Sequence, residues 1–293
     1  MLSKLFIHPE EKRLRSGWRI LAHLILLLII SFFLAGPLLA FASLSPVFAF
    51  LGDEFLISVL AFTASIYLAR RWFDRRSFRG LGLQWDADAT RDLLFGIFMP
   101  ALLMALVFLA EWAFGWLTFE GFAWQVDGFN PAAIGYWAAA FIMVGWYEEL
   151  LTRGYWLQNL AEGLGMPLAV LISSAVFSLL HLINPSASIA SVLGIFCGGL
   201  FLAYAYLRTG RLWLPIGLHI GWNFFQGPVF GFPVSGLAST RLLVHSNNGP
   251  LLITGGSFGP EAGLIILPTL ALGAYLIYVY TQQRTPIALE DVA

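Results

Sequence analysis

The sequence predicts an all-α protein, a polytopic membrane bundle of about eight transmembrane helices. Hydrophobic residues make up 59% of the chain and its mean hydropathy is +0.78. Charged residues make up only 11%, against about 25% in a soluble domain. Apolar runs of about 20 residues, the length that crosses a bilayer, recur along the whole chain. The net charge of −1 points to no charged partner, and no nucleic-acid partner is expected. The lone Cys197 excludes an intrachain disulfide framework and any multi-cysteine metal site.

The first run follows Lys4, Lys12, Arg13, Arg15 and Arg19, and Ala40-Phe41-Ala42 resembles a signal-peptidase site. From Ile20 to about Ala42 it is longer than the apolar stretch of a signal peptide, so a first transmembrane helix is expected over 18–43. Further spans are expected at 54–70, 92–115, 132–153, 167–184, 188–207, 212–231 and 262–281. The fourth continues as a polar-faced helix to about Glu162, through Gln158 and Asn159. Gly163, Gly165 and Pro167 then mark a turn, as do Gly210 and the Asn184-Pro185-Ser186 gap. No internal repeat, low-complexity tract or separate soluble domain interrupts the chain. Residues 1–293 are therefore read as one membrane-embedded domain with a motif-bearing core at about 130–230. With the N-terminus in the cytoplasm, fifteen of the sixteen lysines and arginines fall on that side and only Arg241 falls outside. That sorting obeys the positive-inside rule and places both termini in the cytoplasm.

Within this layout, "GWYEELLTRG" at 145–154 puts two adjacent acids at the end of a membrane helix. An acidic residue at a helix centre costs about 2.5–3.5 kcal/mol on insertion scales and is usually functional. Glu148 lies fifteen residues before Gly163, and His181 lies fourteen after Pro167. At 1.5 Å per residue each is about 21–23 Å from the turn joining their helices, so an antiparallel hairpin sets them at one depth. His219 and Asn223, four apart on one helical face, fall near that depth too. Read singly, each residue has a structural explanation: a histidine can bond between helices, Asn223 can be structural, and Glu149 with Arg153 forms a favourable i,i+4 ion pair. Glu148 lacks such an explanation, because Arg153 cannot easily serve both carboxylates. Together the four polar residues favour a site in a cavity open to the cytoplasm.

A carboxylate beside an imidazole can activate water for attack on a carbonyl. A second imidazole and an amide can stabilise the oxyanion that develops. Neither Cys197 nor Ser178 lies in a nucleophile pattern, and there is no second intramembrane Asp for an aspartyl dyad. Glu148, His181 and His219 could instead hold a divalent metal such as zinc, although the usual paired-histidine helix motif is absent. Activated water without an obligatory metal is the preferred reading.

Three motifs make the chain resemble the type II CAAX prenyl protease and bacteriocin-processing (CPBP, or Abi) family of intramembrane endopeptidases. They are "EELLTR" at Glu148, Glu149 and Arg153; "FSLLH" at Phe177 and His181; and "HIGWN" at His219 and Asn223. All are intact, in order and on successive helices. The stretches "RSFRGLGL" and "GGSFGPEAG" are similar to the family's bacterial branch. In the second, Pro260 and Glu261 also suit any helix start. The resemblance implies that Glu148 and His181 activate water, that His219 and Asn223 form the oxyanion site, and that Glu149, Arg153 and Phe177 support it. It further implies a peptide or membrane-protein substrate at the lipid bilayer of a prokaryotic cell. Some members serve in bacteriocin maturation or immunity. Two other readings stay open: a non-catalytic immunity or scaffold protein that binds a peptide, and a proton-coupled transporter. The second is disfavoured by the lack of inverted repeats. The outer loop 232–259 carries no readable motif.

Overall fold

The computed structural model describes residues 6–7, 11–45, 49, 52–126 and 129–284; Lys4 lies outside them. Helix α1 (Ser16–Leu44) is followed by α2 (Glu54–Ala69), whose start is capped by the Asp53 carboxylate accepting from the Phe55 and Leu56 N–H groups. A π-helical turn at Arg70–Asp74 extends α2 and stops at Arg75, whose φ of 55° is left-handed. Helix α3 (Ala87–Ala113) is capped by Asp86 in the same way. Helix α4 (Pro131–Glu149) starts with proline behind an Asn130 cap, passes through a π-helical stretch (Leu150–Trp156) and ends as α5 (Leu157–Leu164) at Gly165, φ 80°. Then come α6 (Met166–Leu180), α7 (Ile189–Thr209) behind a Ser188/Ser191 capping box, α8 (Trp213–Phe224) and α9 (Ile266–Thr281).

The chain is an integral membrane helix bundle. Helices stand at all eight expected places, but among the described residues only five stretches have the length and composition to cross a membrane unaided: Ser16–Leu44, Glu54–Asp74, Ala87–Ala113, Met166–Ile183 and Ile189–Thr209. The other three are α4, which carries the acidic pair, the twelve-residue α8 and the sixteen-residue α9. Two short strands, unforeseen from the sequence, also form. β1 (Leu117–Phe122) pairs antiparallel with β2 (Leu243–Asn247) across 121 residues of chain at their closest ends, from Phe122 to Leu243, with a bulge between Phe119 and Gly121.

Charge organises one end of the bundle. Buried Asp74 accepts from Arg70 at 2.8 Å and from Arg19, the Tyr155 hydroxyl and Asn159 at 3.3 Å each. Glu162 pairs with Arg19, with Arg13 at 3.1 Å and with Arg76 at 2.6 Å. The polar face expected on α5 is therefore turned inward: Asn159 is fully buried and Gln158 donates to the Tyr206 hydroxyl at 2.8 Å. Desolvating these ions is costly unless each is paired and hydrogen-bonded, and here α1, the end of α2 and α5 share the partners.

Glycine sets the other main contact. α8 carries Gly217-Leu218-His219-Ile220-Gly221, the small-xxx-small spacing that lets membrane helices approach closely. A Cβ on Gly217 would run into the Leu93 carbonyl oxygen, and one on Gly221 into that of Ile97. Gly96 of α3 faces back, 2.7 Å from the Leu214 oxygen for a built Cβ. On α8's other side, Gly145 of α4 meets Ile220. His219 lies between the two glycines, so its height and rotation are fixed by backbone contact.

Candidate active site

The acidic pair sits where α4 changes to π-helical geometry. The wider turn keeps Glu149 and Arg153 stacked at i,i+4 and points both inward, with neither exposed to solvent. Arg153 donates to Glu149 Oε1 at 2.8 Å, to Thr152 Oγ1 at 2.8 Å and to the Gly199 carbonyl at 3.1 Å. Its guanidinium also lies 4.3 Å over the Phe177 ring, an attraction that strengthens when the pair is desolvated.

The same Glu149 oxygen stands 2.8 Å from His219 Nδ1. A carboxylate can only accept there, so Nδ1 carries hydrogen and Nε2 is turned to the other side of the ring. Nε2 lies 3.7 Å from Glu148 Oε2. Glu149, His219 and Glu148 thus form a row: a buried carboxylate, an imidazole, and a partly exposed carboxylate whose Oε2 has no hydrogen-bond partner. In the second imidazole, His181 Nδ1 is 2.8 Å from the Phe177 carbonyl oxygen one turn earlier. That oxygen likewise accepts, which leaves Nε2 as the lone-pair nitrogen in the neutral ring. The Phe177 ring lies against both imidazoles, with centroids 4.8 Å from His181 and 6.0 Å from His219. Asn223 is buried one turn beyond His219.

Glu148, Phe177, His181, His219 and Asn223 all line one cavity of about 460 Å³ with mostly apolar walls. Glu149 and Arg153 lie behind its wall. The direct carboxylate–imidazole contact of Glu148 is with His219; His181 faces the same space without touching Glu148 among the described interactions. Among the described residues no three His, Cys, Asp or Glu side chains are grouped as a metal site would require. The arrangement can instead hold water between protein groups that accept and donate protons.

Sequence reasoning missed part of the wall. Glu54, Asn184, Val234, Ser235, Leu237 and Glu261 also line the cavity. All lie at the end of the bundle remote from the Asp74–Glu162 cluster. Asn184 donates to the Ser235 carbonyl at 2.9 Å, and Ser235 N–H donates to Glu261 at 2.6 Å, so the loop after α8 is pinned over the cavity. A Cβ on Gly194 of α7 would overlap the Glu261 carbonyl oxygen, which brings the glutamate against the helix. The one available signal was the glycine-rich "GGSFGPEAG", whose flexible backbone permits such close approach.

Residues 130–225 match the family model described as type II CAAX prenyl endopeptidase Rce1-like. Neither a curated protein nor a solved structure matches the chain. The matched stretch runs from the start of α4 to the end of α8 and contains every motif residue in the site. Over residues 130–225 the chain is thus similar to a type II CAAX prenyl endopeptidase Rce1-like family, in agreement with the resemblance read from its three motifs.

Proposed function

We propose that the protein is an intramembrane endopeptidase that hydrolyses peptide bonds of membrane-associated peptides or proteins with a water activated by Glu148 and histidine. The observation that carries this reading is the Glu149–His219–Glu148 row facing an apolar cavity, with one Glu148 oxygen unpartnered. A water beside that oxygen and His181 Nε2 loses a proton to the Glu148–His181 pair as its oxygen attacks the substrate carbonyl. The carbonyl oxygen becomes an oxyanion, to which the Asn223 amide and, in its imidazolium form, His219 Nε2–H donate. Collapse breaks the C–N bond, and the proton taken from water passes to the leaving amine. Preorganised donors in a dry site are worth about 3–4 kcal/mol each. Glu149 and Arg153 act behind the site: the first fixes the tautomer and angle of His219, and the second balances the first's buried charge. The cell is read as prokaryotic with both termini in its cytoplasm and the cavity open to that side, a reading whose orientation the positive-inside pattern supports.

The test is cleavage of a membrane-tethered peptide library by purified protein, with Glu148→Ala as the comparison and a chelator arm for the wild type. Products from the wild type, at least about 10²-fold fewer from the variant, and no effect of chelator are the expected results. Loss on chelation with recovery on added metal would replace the proposed water activation with a metal mechanism. Peptide binding by both proteins with cleavage by neither would move the non-catalytic binding reading ahead.

A further inference from the structure

The run "RRWFDRRSFRG" at 70–80 divides its arginines into two sets. Arg70 and Arg76, together with Arg13 and Arg19, share the carboxylates of Glu11, Asp74 and Glu162. Arg71, Arg75 and Arg79 instead are exposed, as is Lys12, which precedes the Arg13 that donates to the Asp74 carbonyl at 3.0 Å. Among the described residues none of these four cations makes an ion pair, and the acids beside them are already taken by the paired arginines.

The backbone holds this outward set in place. Arg75 ends the π-helical turn in the left-handed region, with its N–H bonded to the Arg70 carbonyl. The Ser77 hydroxyl then accepts from the Gly80 N–H at 3.1 Å and starts the short helical turn that carries Arg79. In that turn the Phe78 ring packs edge-on against Tyr67, centroids 5.7 Å apart, so the turn folds back on α2. The outer face of α2 continues the surface. Leu60, Ala64, Tyr67 and Arg71 are all exposed at the spacing of one helical face, on a stretch long and apolar enough to cross a membrane. An apolar stripe thus runs into a basic cluster, and exposed Trp72 stands at the junction, as tryptophan does at membrane boundaries. A phospholipid has the same layout, acyl chains beside an anionic phosphate. Basic clusters next to a membrane helix attract anionic headgroups, and guanidinium groups bond phosphate oxygens in pairs.

We propose that Lys12, Arg71, Arg75 and Arg79 form a binding site for the headgroup of an anionic phospholipid, whose acyl chain lies along the Tyr67, Ala64 and Leu60 stripe. The site depends neither on the endopeptidase reading nor on which leaflet this end of the bundle faces.

In the test, full-length protein is reconstituted in vesicles of equal phosphatidylglycerol and phosphatidylcholine, solubilised in zwitterionic detergent and washed on a column. The lipid it retains is counted by mass spectrometry. Phosphatidylglycerol is expected to exceed phosphatidylcholine about tenfold, equivalent to about 1.4 kcal/mol. Raised salt should shrink that excess by screening exposed charge. Lys12→Gln, Arg71→Gln, Arg75→Gln and Arg79→Gln combined should abolish it. Arg71→Lys, Arg75→Lys and Arg79→Lys combined keep the charge and should retain most of it, which separates loss of the site from loss of the fold. Arg91→Gln, at an exposed arginine paired with Asp88, should change nothing. Equal retention of the two lipids overturns the proposal, as does an excess that persists in the glutamine variant or disappears with Arg91→Gln. Displacement of the lipid by glycerol phosphate in solution would make this a site for free phosphate and overturn it too. Displacement by an acidic peptide would assign the patch to a protein partner instead.

Discussion

Glu149 is the residue on which the site's geometry turns. One oxygen serves both Arg153 and His219 at 2.8 Å, inside a region with no solvent. Removing one partner of a buried ion pair leaves an uncompensated charge and costs about 3–5 kcal/mol. Glu149→Ala is therefore expected to lower the melting temperature in detergent as well as abolish cleavage. Glu149→Gln keeps an acceptor for His219, so it should recover much of the cleavage lost in the alanine variant while remaining destabilised by its unpaired Arg153. Equal loss of cleavage in both variants would show that the carboxylate charge, and not the orientation of His219, is what matters. The i,i+4 pairing of Glu149 with Arg153 was legible from spacing alone. Its bond to His219 was not, because it joins side chains 70 positions apart and depends on how α8 is rotated against α4.

That rotation belongs to the elements. The Gly217 and Gly221 face of α8 presses on the α3 backbone at Leu93 and Ile97, so a methyl group there must push the helices apart. Gly221→Ala should lower thermal stability and cleavage together, because His219 rides on the displaced segment. A variant with normal stability and activity would show that the crossing can open at no cost. The strand pair offers a second test. His245 of β2 is packed among Phe108 and Phe232, and burial lowers its pKa to about 4 from the usual 6.5. Between those values the unfolded chain binds a proton that the folded chain refuses, so stability falls as pH drops from 6.5 to about 4 and levels off below. Melting curves of wild type against His245→Phe should diverge within this window and run parallel above it. Most of the helices were readable because they are apolar runs bounded by turn residues such as Gly165 and Gly210. The strands were not: Leu117–Phe122 gains its partner only from a loop far along the chain. The π-helical stretch at Leu150–Trp156 also leaves no trace in hydropathy, since its residues would equally suit an α-helix.

At the scale of the whole molecule, the bundle has a polar end and an apolar, cavity-bearing remainder. The positive-inside sorting made the basic residues legible as topology, yet Arg13, Arg19 and Arg70 are buried and paired; hydropathy records their charge and not the acids that meet them. Asp74→Ala would leave Arg70 without its carboxylate and Arg19 with Glu162 alone, and a loss of about 3–5 kcal/mol is expected. It should be visible as a collapsed monodisperse peak in size-exclusion chromatography of the solubilised protein. An unchanged profile would mean that lipid or water satisfies the arginines. The same cluster also bears on how the chain is made. Arg19 is synthesised early, while its partners lie 55 and 143 residues downstream at Asp74 and Glu162. A nascent chain halted before Glu162 holds Arg13 and Arg19 without their shared counter-ion. Assembly therefore has an order: the first helix can meet Asp74 once the end of α2 has emerged, but its contact with Glu162 waits until α5 has left the ribosome.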